Sequence, residues 1–374
     1  MVGLRKVVYD SWLGQQLRTS RLGIATLERV AGVMRMLPVP RKIFDPADET
    51  WRDFFYFDHG QMRLPESLGA EFESVLVADA ELSARVDHLR QKCPRVGMVF
   101  SSGRAGTRGF SLFLGCKNGL AALHRPGDVE DFETTGLEVD PGFRNSIVYA
   151  LTLGPRDDGW WRRHVEYVVS LLEFATSVEV RDFWLTAHRW NCYFPMIELV
   201  LRRKCPALLL DRDDCKIVHS MISRNQYCPA TAELEKESTW VNVEPQIVQT
   251  VADGAQHLRL SGAPLFDRVC WYVHFVRYWF NVCTDDGRNA AQQAVLNIDD
   301  LAAKPAESYR LLDRVVDLPG QSPEDLVRQF TVPKNVKPRS TQTGLRFPDV
   351  ERWPGAMHER LYAIRSNWKM KSVT

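Results

Sequence analysis

VGMVFSSGRAGTRGFSLFLGC, from Val96 to Cys116, passes from an apolar run through a glycine-rich turn to a second apolar run. Val96-Gly97-Met98-Val99-Phe100 has the length and composition of a buried β-strand. Ser101 to Gly109 is small, hydroxylated and basic, and Phe110, Leu112, Phe113 and Leu114 suit a helix. Strand, glycine-rich turn and helix together aim backbone N–H groups and a helix N-terminus at an anion. A tight turn carrying a solvated arginine is the plainer alternative. The stretch is not a Walker A loop, because no Lys-Ser or Lys-Thr follows Gly106.

The rest of the chain alternates in the same way. Strands are expected at Gly119–Leu123, Arg181–Ala187, Ala207–Asp211 and Ala294–Asp299. Helices are expected at Trp160–Ala175, 193–203, 214–224, Phe266–Cys283 and Ala306–Val316. This order predicts an α/β fold, a three-layer, P-loop-like parallel sheet flanked by helices. Ligands of such sheets sit beyond the C-terminal strand ends. Ser101–Gly109, His124, His188 and Arg212 should therefore share one rim. Ahead of this domain (93–374), residues 1–92 read as a helical N-terminal extension or cap, with helices at Leu22–Met36 and Glu71–Lys92 and an aromatic cluster at Trp51–Phe57.

Bulk properties narrow the function. The chain has 374 residues, 45% hydrophobic and 25% charged, with a net charge of +1. That balance suits a globular enzyme and gives no support for broad nucleic-acid or anionic-membrane binding. No apolar run is long enough to span a bilayer, and the first residues lack a secretory core. The eight cysteines show no CxxC pair and no zinc-like spacing, which predicts reduced thiols, a cytoplasmic protein and no metal site.

Three ordered segments make the chain similar to the sulfotransferases that use 3′-phosphoadenosine 5′-phosphosulfate (PAPS). Ser102-Gly103-Arg104-Ala105-Gly106-Thr107 resembles their 5′-phosphosulfate loop, with Ala105 where serine is usual. Arg212, at the end of Leu208-Leu-Leu-Asp211, and Ser220 keep the spacing of the family's 3′-phosphate motif. Leu296-Asn-Ile-Asp-Asp-Leu301, Pro305 and Leu318-Pro-Gly320 resemble a third family segment.

The resemblance implies an O-sulfotransferase, with PAPS as donor, PAP as product and no metal. The acceptor would be a small hydroxylated molecule, and the protein a monomer or homodimer. Ser102, Gly103, Arg104, Ala105, Gly106, Thr107 and Arg108 would hold the phosphosulfate, and Arg212 and Ser220 the 3′-phosphate. Arg339, in a basic run with Lys334 and Lys337, would close over that phosphate. Arg104 would stabilise the leaving phosphate, and such donors are worth roughly 3–4 kcal/mol each.

His188, 24 residues before Arg212, matches the family's general base. His124, Glu130 and Asp131 are the substitutes, because Arg125 stands where many relatives carry a glutamate. Asp213 and Asp214 depart from the family pattern and should turn away from the ligand or pair with Lys216 or Arg224. Phe110 or Trp240 could replace a missing adenine-stacking tryptophan. Trp160, Trp161, Trp184, Trp190, Trp271, Tyr272 and Trp279 could bound an acceptor cleft, although core packing suits each of them individually. A P-loop-type kinase and a non-catalytic nucleotide-binding protein on the same fold are the alternatives.

Overall fold

The structure is a computed structural model. It describes residues 68–115, 119–124, 158–223, 265–285, 287, 292–301, 303–318, 322–331, 350–353 and 355–367. The expected helix at Leu22–Met36, the cluster at Trp51–Phe57, and Arg125, Glu130, Asp131, Arg224, Trp240, Lys334, Lys337 and Arg339 lie outside these residues.

The strands form where β-branched and aliphatic residues cluster. They are β1 (Arg95–Phe100), β2 (Leu120–Leu123), β3 (Asp182–Leu185), β4 (Ala207–Asp211) and β5 (Gln293–Asn297). All pair in parallel in the order β2-β3-β1-β4-β5. Parallel strands need crossovers, and helices provide them. The helices of the described residues are α1 (Leu68–Ala78), α2 (Ala80–Lys92), α3 (Thr107–Gly115), α4 (Asp158–Ser177), α5 (Phe194–Leu201), α6 (Asp214–Ser223), α7 (Leu265–Thr284), α8 (Pro305–Val316), α9 (Pro323–Thr331) and α10 (Gly355–Asn367), of which α3 to α7 lie between strands. The protein is thus α/β, with a five-stranded all-parallel sheet flanked by helices. Among the described residues, no helix is long and apolar enough to cross a membrane.

The charged stretch Glu71–Lys92 forms two helices, not the single one its composition suggests. Asp79 interrupts it in an extended conformation (φ −135°) and accepts the N–H of Leu82 at 3.0 Å. An aspartate at this position stabilises a new helix start by about 1 kcal/mol, enough to favour a break. Both helices lie against the rest of the domain. Phe72, Val86 and Leu89 are buried, Trp161 donates to Glu71 at 2.8 Å, and Arg85 pairs with Glu173 at 2.8 Å.

The two edges of the sheet are chemically different. At the edge where β1 and β3 begin, charges satisfy one another. Buried Asp182 pairs with Arg95 (3.2 Å) and Arg181 (2.5 Å), and Arg95 also donates to the carbonyls of Val315 and Val316 at the end of α8. Cations at a helix C-terminus are favourable on their own account. Beyond the opposite edge, where every strand ends, lie Ser101, His124, His188, Arg212 and Asp299.

Close packing in the middle of the sheet rests on one small residue. Gly97 on β1 is opposite Trp184 on β3, and a Cβ at Gly97 would meet three indole ring atoms at 2.6 Å. Trp184 is fully buried and cannot swing away. Gly97→Ala should cost about 1–3 kcal/mol by overpacking. Thermal denaturation should show the loss, and Trp184→Leu in the same chain should recover part of it.

Candidate anion-binding site

The turn after β1 is built from backbone conformations that side chains seldom adopt. Gly103 (φ 84°), Arg104 (φ 58°) and Gly106 (φ 78°) are left-handed. Gly103 donates its N–H to Ser101 Oγ at 3.0 Å, and the carbonyl of Gly106 accepts the N–H of Phe110 at 2.9 Å. The first N–H groups of α3 point out at its positive end. A side chain on Gly106 would press on Ile298 (2.9 Å) and Phe330 (3.0 Å). A left-handed arginine costs about 1–3 kcal/mol, which the surrounding packing must offset. Ser101, Ser102 and Thr107 are buried. Ala105 is fully buried, and its methyl group has no polar atom to offer a ligand.

The segment after β3 folds against this turn. Residues His188–Tyr193 form a short 3₁₀ helix. A Cβ on Gly103 would lie 3.6 Å from His188 Nδ1, an ordinary contact distance, so the imidazole packs beside the turn and it is the left-handed backbone that calls for glycine. Asn191 ties the segments together. Its Nδ2 donates to the carbonyl of Ser101 (3.0 Å), and its own carbonyl accepts from Trp279 Nε1 (3.0 Å). Trp190 Nε1 donates to Tyr167 Oη at 3.0 Å. His124 sits further along the rim, its Nδ1 3.4 Å from Thr186 Oγ1. His124 and His188 are both half-buried.

The end of β4 brings the remaining polar groups in. Arg104 Nε donates to Ser220 Oγ on α6 at 3.0 Å, across 116 residues of sequence. Arg212 Nε lies 3.5 Å from Asp299 Oδ1, and Lys216 Nζ lies 3.0 Å from the same oxygen. Among the described residues, Asp214 pairs with arginines and not with Lys216. It is buried and pairs with Arg277 (2.5 Å) and Arg365 (3.3 Å). Arg277 also donates to Asp211 Oδ1 (2.6 Å) and the Arg212 carbonyl (3.1 Å). Asp213 Oδ1 caps α6 by accepting the N–H of Lys216 at 3.0 Å.

Ser102, Gly103, Arg104, Gly106, Thr107, Arg108, His188, Arg212 and Ser220 thus lie around the C-terminal ends of β1, β3 and β4. Phe110 does not suit adenine stacking. It is fully buried, its ring centroid 6.3 Å from that of Phe113 and 6.1 Å from that of Phe330. Trp161, Trp184, Trp190 and Trp279 are buried core residues. Arg277, Arg365 and Asn191 went unread in the sequence, and Asp299 was read only as part of a family segment, since each acts through partners distant along the chain. Among the described residues, no group of three or more His, Cys, Asp or Glu side chains could hold a metal ion. The chain matches no family model, no curated protein and no solved structure.

Two buried histidines flank the site. Burial, with Arg163 adding to it, holds His164 well below its usual value of 6.5. Burial first, then Arg277 and Arg365, pushes His274 down to about 3. As pH falls through 6.5, the unfolded chain takes up protons that the folded chain refuses. Stability should therefore fall as pH drops from 7 to 5, by up to about 1.4 kcal/mol per pH unit for each histidine. Denaturant titrations should show this slope, and His274→Gln should flatten it. An unchanged slope in the variant would contradict the assignment.

Proposed function

We propose that the chain is a PAPS-dependent O-sulfotransferase acting on a small hydroxylated molecule, on a three-layer, P-loop-like domain. One observation carries the reading: the hydrogen bond between Arg104 and Ser220. It joins the glycine-rich turn to α6, the helix that follows β4, so a ligand with two anionic groups could touch both. The left-handed Arg104 and the closeness of His188 to Gly103 support the same arrangement.

In this reading the N–H groups at the start of α3, with Ser102, Thr107 and Arg108, hold the phosphosulfate. Arg212 and Ser220 take the 3′-phosphate, and Arg339 belongs to the same subsite by resemblance. The acceptor oxygen attacks sulfur, and its proton passes to His188. The bond from sulfur to the bridging phosphate oxygen breaks, and the electron pair leaves on PAP. Charge grows on that phosphate during transfer, as in phosphoryl transfer, and Arg104 offsets it. No metal enters this scheme.

Adenosine 3′,5′-bisphosphate should raise the thermal midpoint of the full chain. At 100 times its Kd the gain is about 2.7 kcal/mol. No shift at millimolar nucleotide would contradict the proposal. With PAPS present, mass spectrometry of candidate acceptors should show the gain of one sulfuryl group. His188→Ala should lower turnover about 10²–10⁴-fold while nucleotide binding persists.

A further inference from the structure

We infer that Asp299 is a positioning residue that sets Arg212 and Lys216 as a two-cation fork for a phosphate monoester on the ligand. Lys216 is then a binding residue that no sequence motif pointed to. The inference rests on the proposed nucleotide site and adds what distinguishes a nucleotide carrying a second phosphate from one without it.

Asp299 is held before it holds anything else. Its N–H donates to Asn297 Oδ1 at 2.9 Å, and its Oδ2 accepts the N–H of Asp213 at 2.9 Å. Its other oxygen, Oδ1, is the one close to both Arg212 Nε and Lys216 Nζ. An arginine approached at Nε keeps its Nη edge as a planar fork for a phosphate. The side chains of Arg212 and Lys216 are 33% and 50% exposed, so both heads remain within reach of a ligand.

The charges around the fork point the same way. One carboxylate lies within ion-pair distance of the two cations. The neighbouring acids are engaged elsewhere: Asp213 caps α6, and Asp214 is shared by Arg277 and Arg365. Lys216 stands in the first turn of α6, where the helix dipole disfavours a cation. Asp299 offsets that cost, and a bound phosphate would offset it further. Its carboxyl is itself kept below the usual range. Burial opposes that shift, and it is outweighed by the Asp213 N–H, Lys216 and Arg212.

Calorimetric titration of the full chain with adenosine 3′,5′-bisphosphate and with adenosine 5′-monophosphate tests this. The wild type should prefer the bisphosphate. Lys216→Met should weaken bisphosphate binding about tenfold and leave the monophosphate unchanged. Asp299→Asn should also lower the preference, because Arg212 and Lys216 lose their shared anchor. Tighter bisphosphate binding by Asp299→Asn would overturn the inference, since it would make Asp299 a competitor of the phosphate. If Asp299→Asn does not fold, Lys216→Met decides, and an unchanged preference overturns the inference. A wild type that binds neither nucleotide would overturn the sulfotransferase reading itself. Bisphosphate binding unaffected by either substitution would overturn only the fork.

Discussion

Strand β1 lies between β3 and β4, and the chain must cross it to finish the sheet. It leaves β1 toward β2 and β3, then passes back over to β4 and β5. Where the order reverses, the loops on either side diverge and leave a crevice at the C-terminal ends. The left-handed turn at Gly103–Gly106, the 3₁₀ helix with His188 and the Arg212 turn all open onto that reversal. The chemistry of the site depends on those three segments meeting there.

The meeting is held by buried polar contacts more than by the segments' own preferences. Asn191 bridges the Ser101 carbonyl and the Trp279 indole. Arg277 binds two acids and the Arg212 carbonyl. A buried cation is tolerated only when its charge is matched and its donors are used. Asp211 and Asp214 match that charge on either side of Arg212. Arg212 is thus displayed by a turn whose neighbouring charges have already been neutralised.

Much of the fold was legible in the sequence because local pattern and final structure agree. Apolar runs such as Val96–Phe100 and Ala207–Leu210 became buried strands, and the glycines of the first turn took the conformations glycine permits. The break at Asp79 was missed because helical periodicity continues through it, and only the capping contact to Leu82 shows the interruption. Within the site, Arg104, His188, Arg212 and Ser220 stood out by motif and spacing. Asp299 looked like part of a family segment with no contact assigned to it. Arg277 lay inside an aromatic helix, where periodicity says only that the helix is amphipathic. Arg277 reaches Asp211 across 66 residues and Asp299 reaches Lys216 across 83, and only the tertiary fold could bring them together.

Arg365 on α10 reaches back to Asp214, at the opening of α6. All five strands are complete by Asn297, well before α10 is made. Without α10, Asp214 would have only Arg277 to balance it. Domains fold as units, so the turn that displays Arg212 has its full complement of counter-charges only once residues 355–367 are in place.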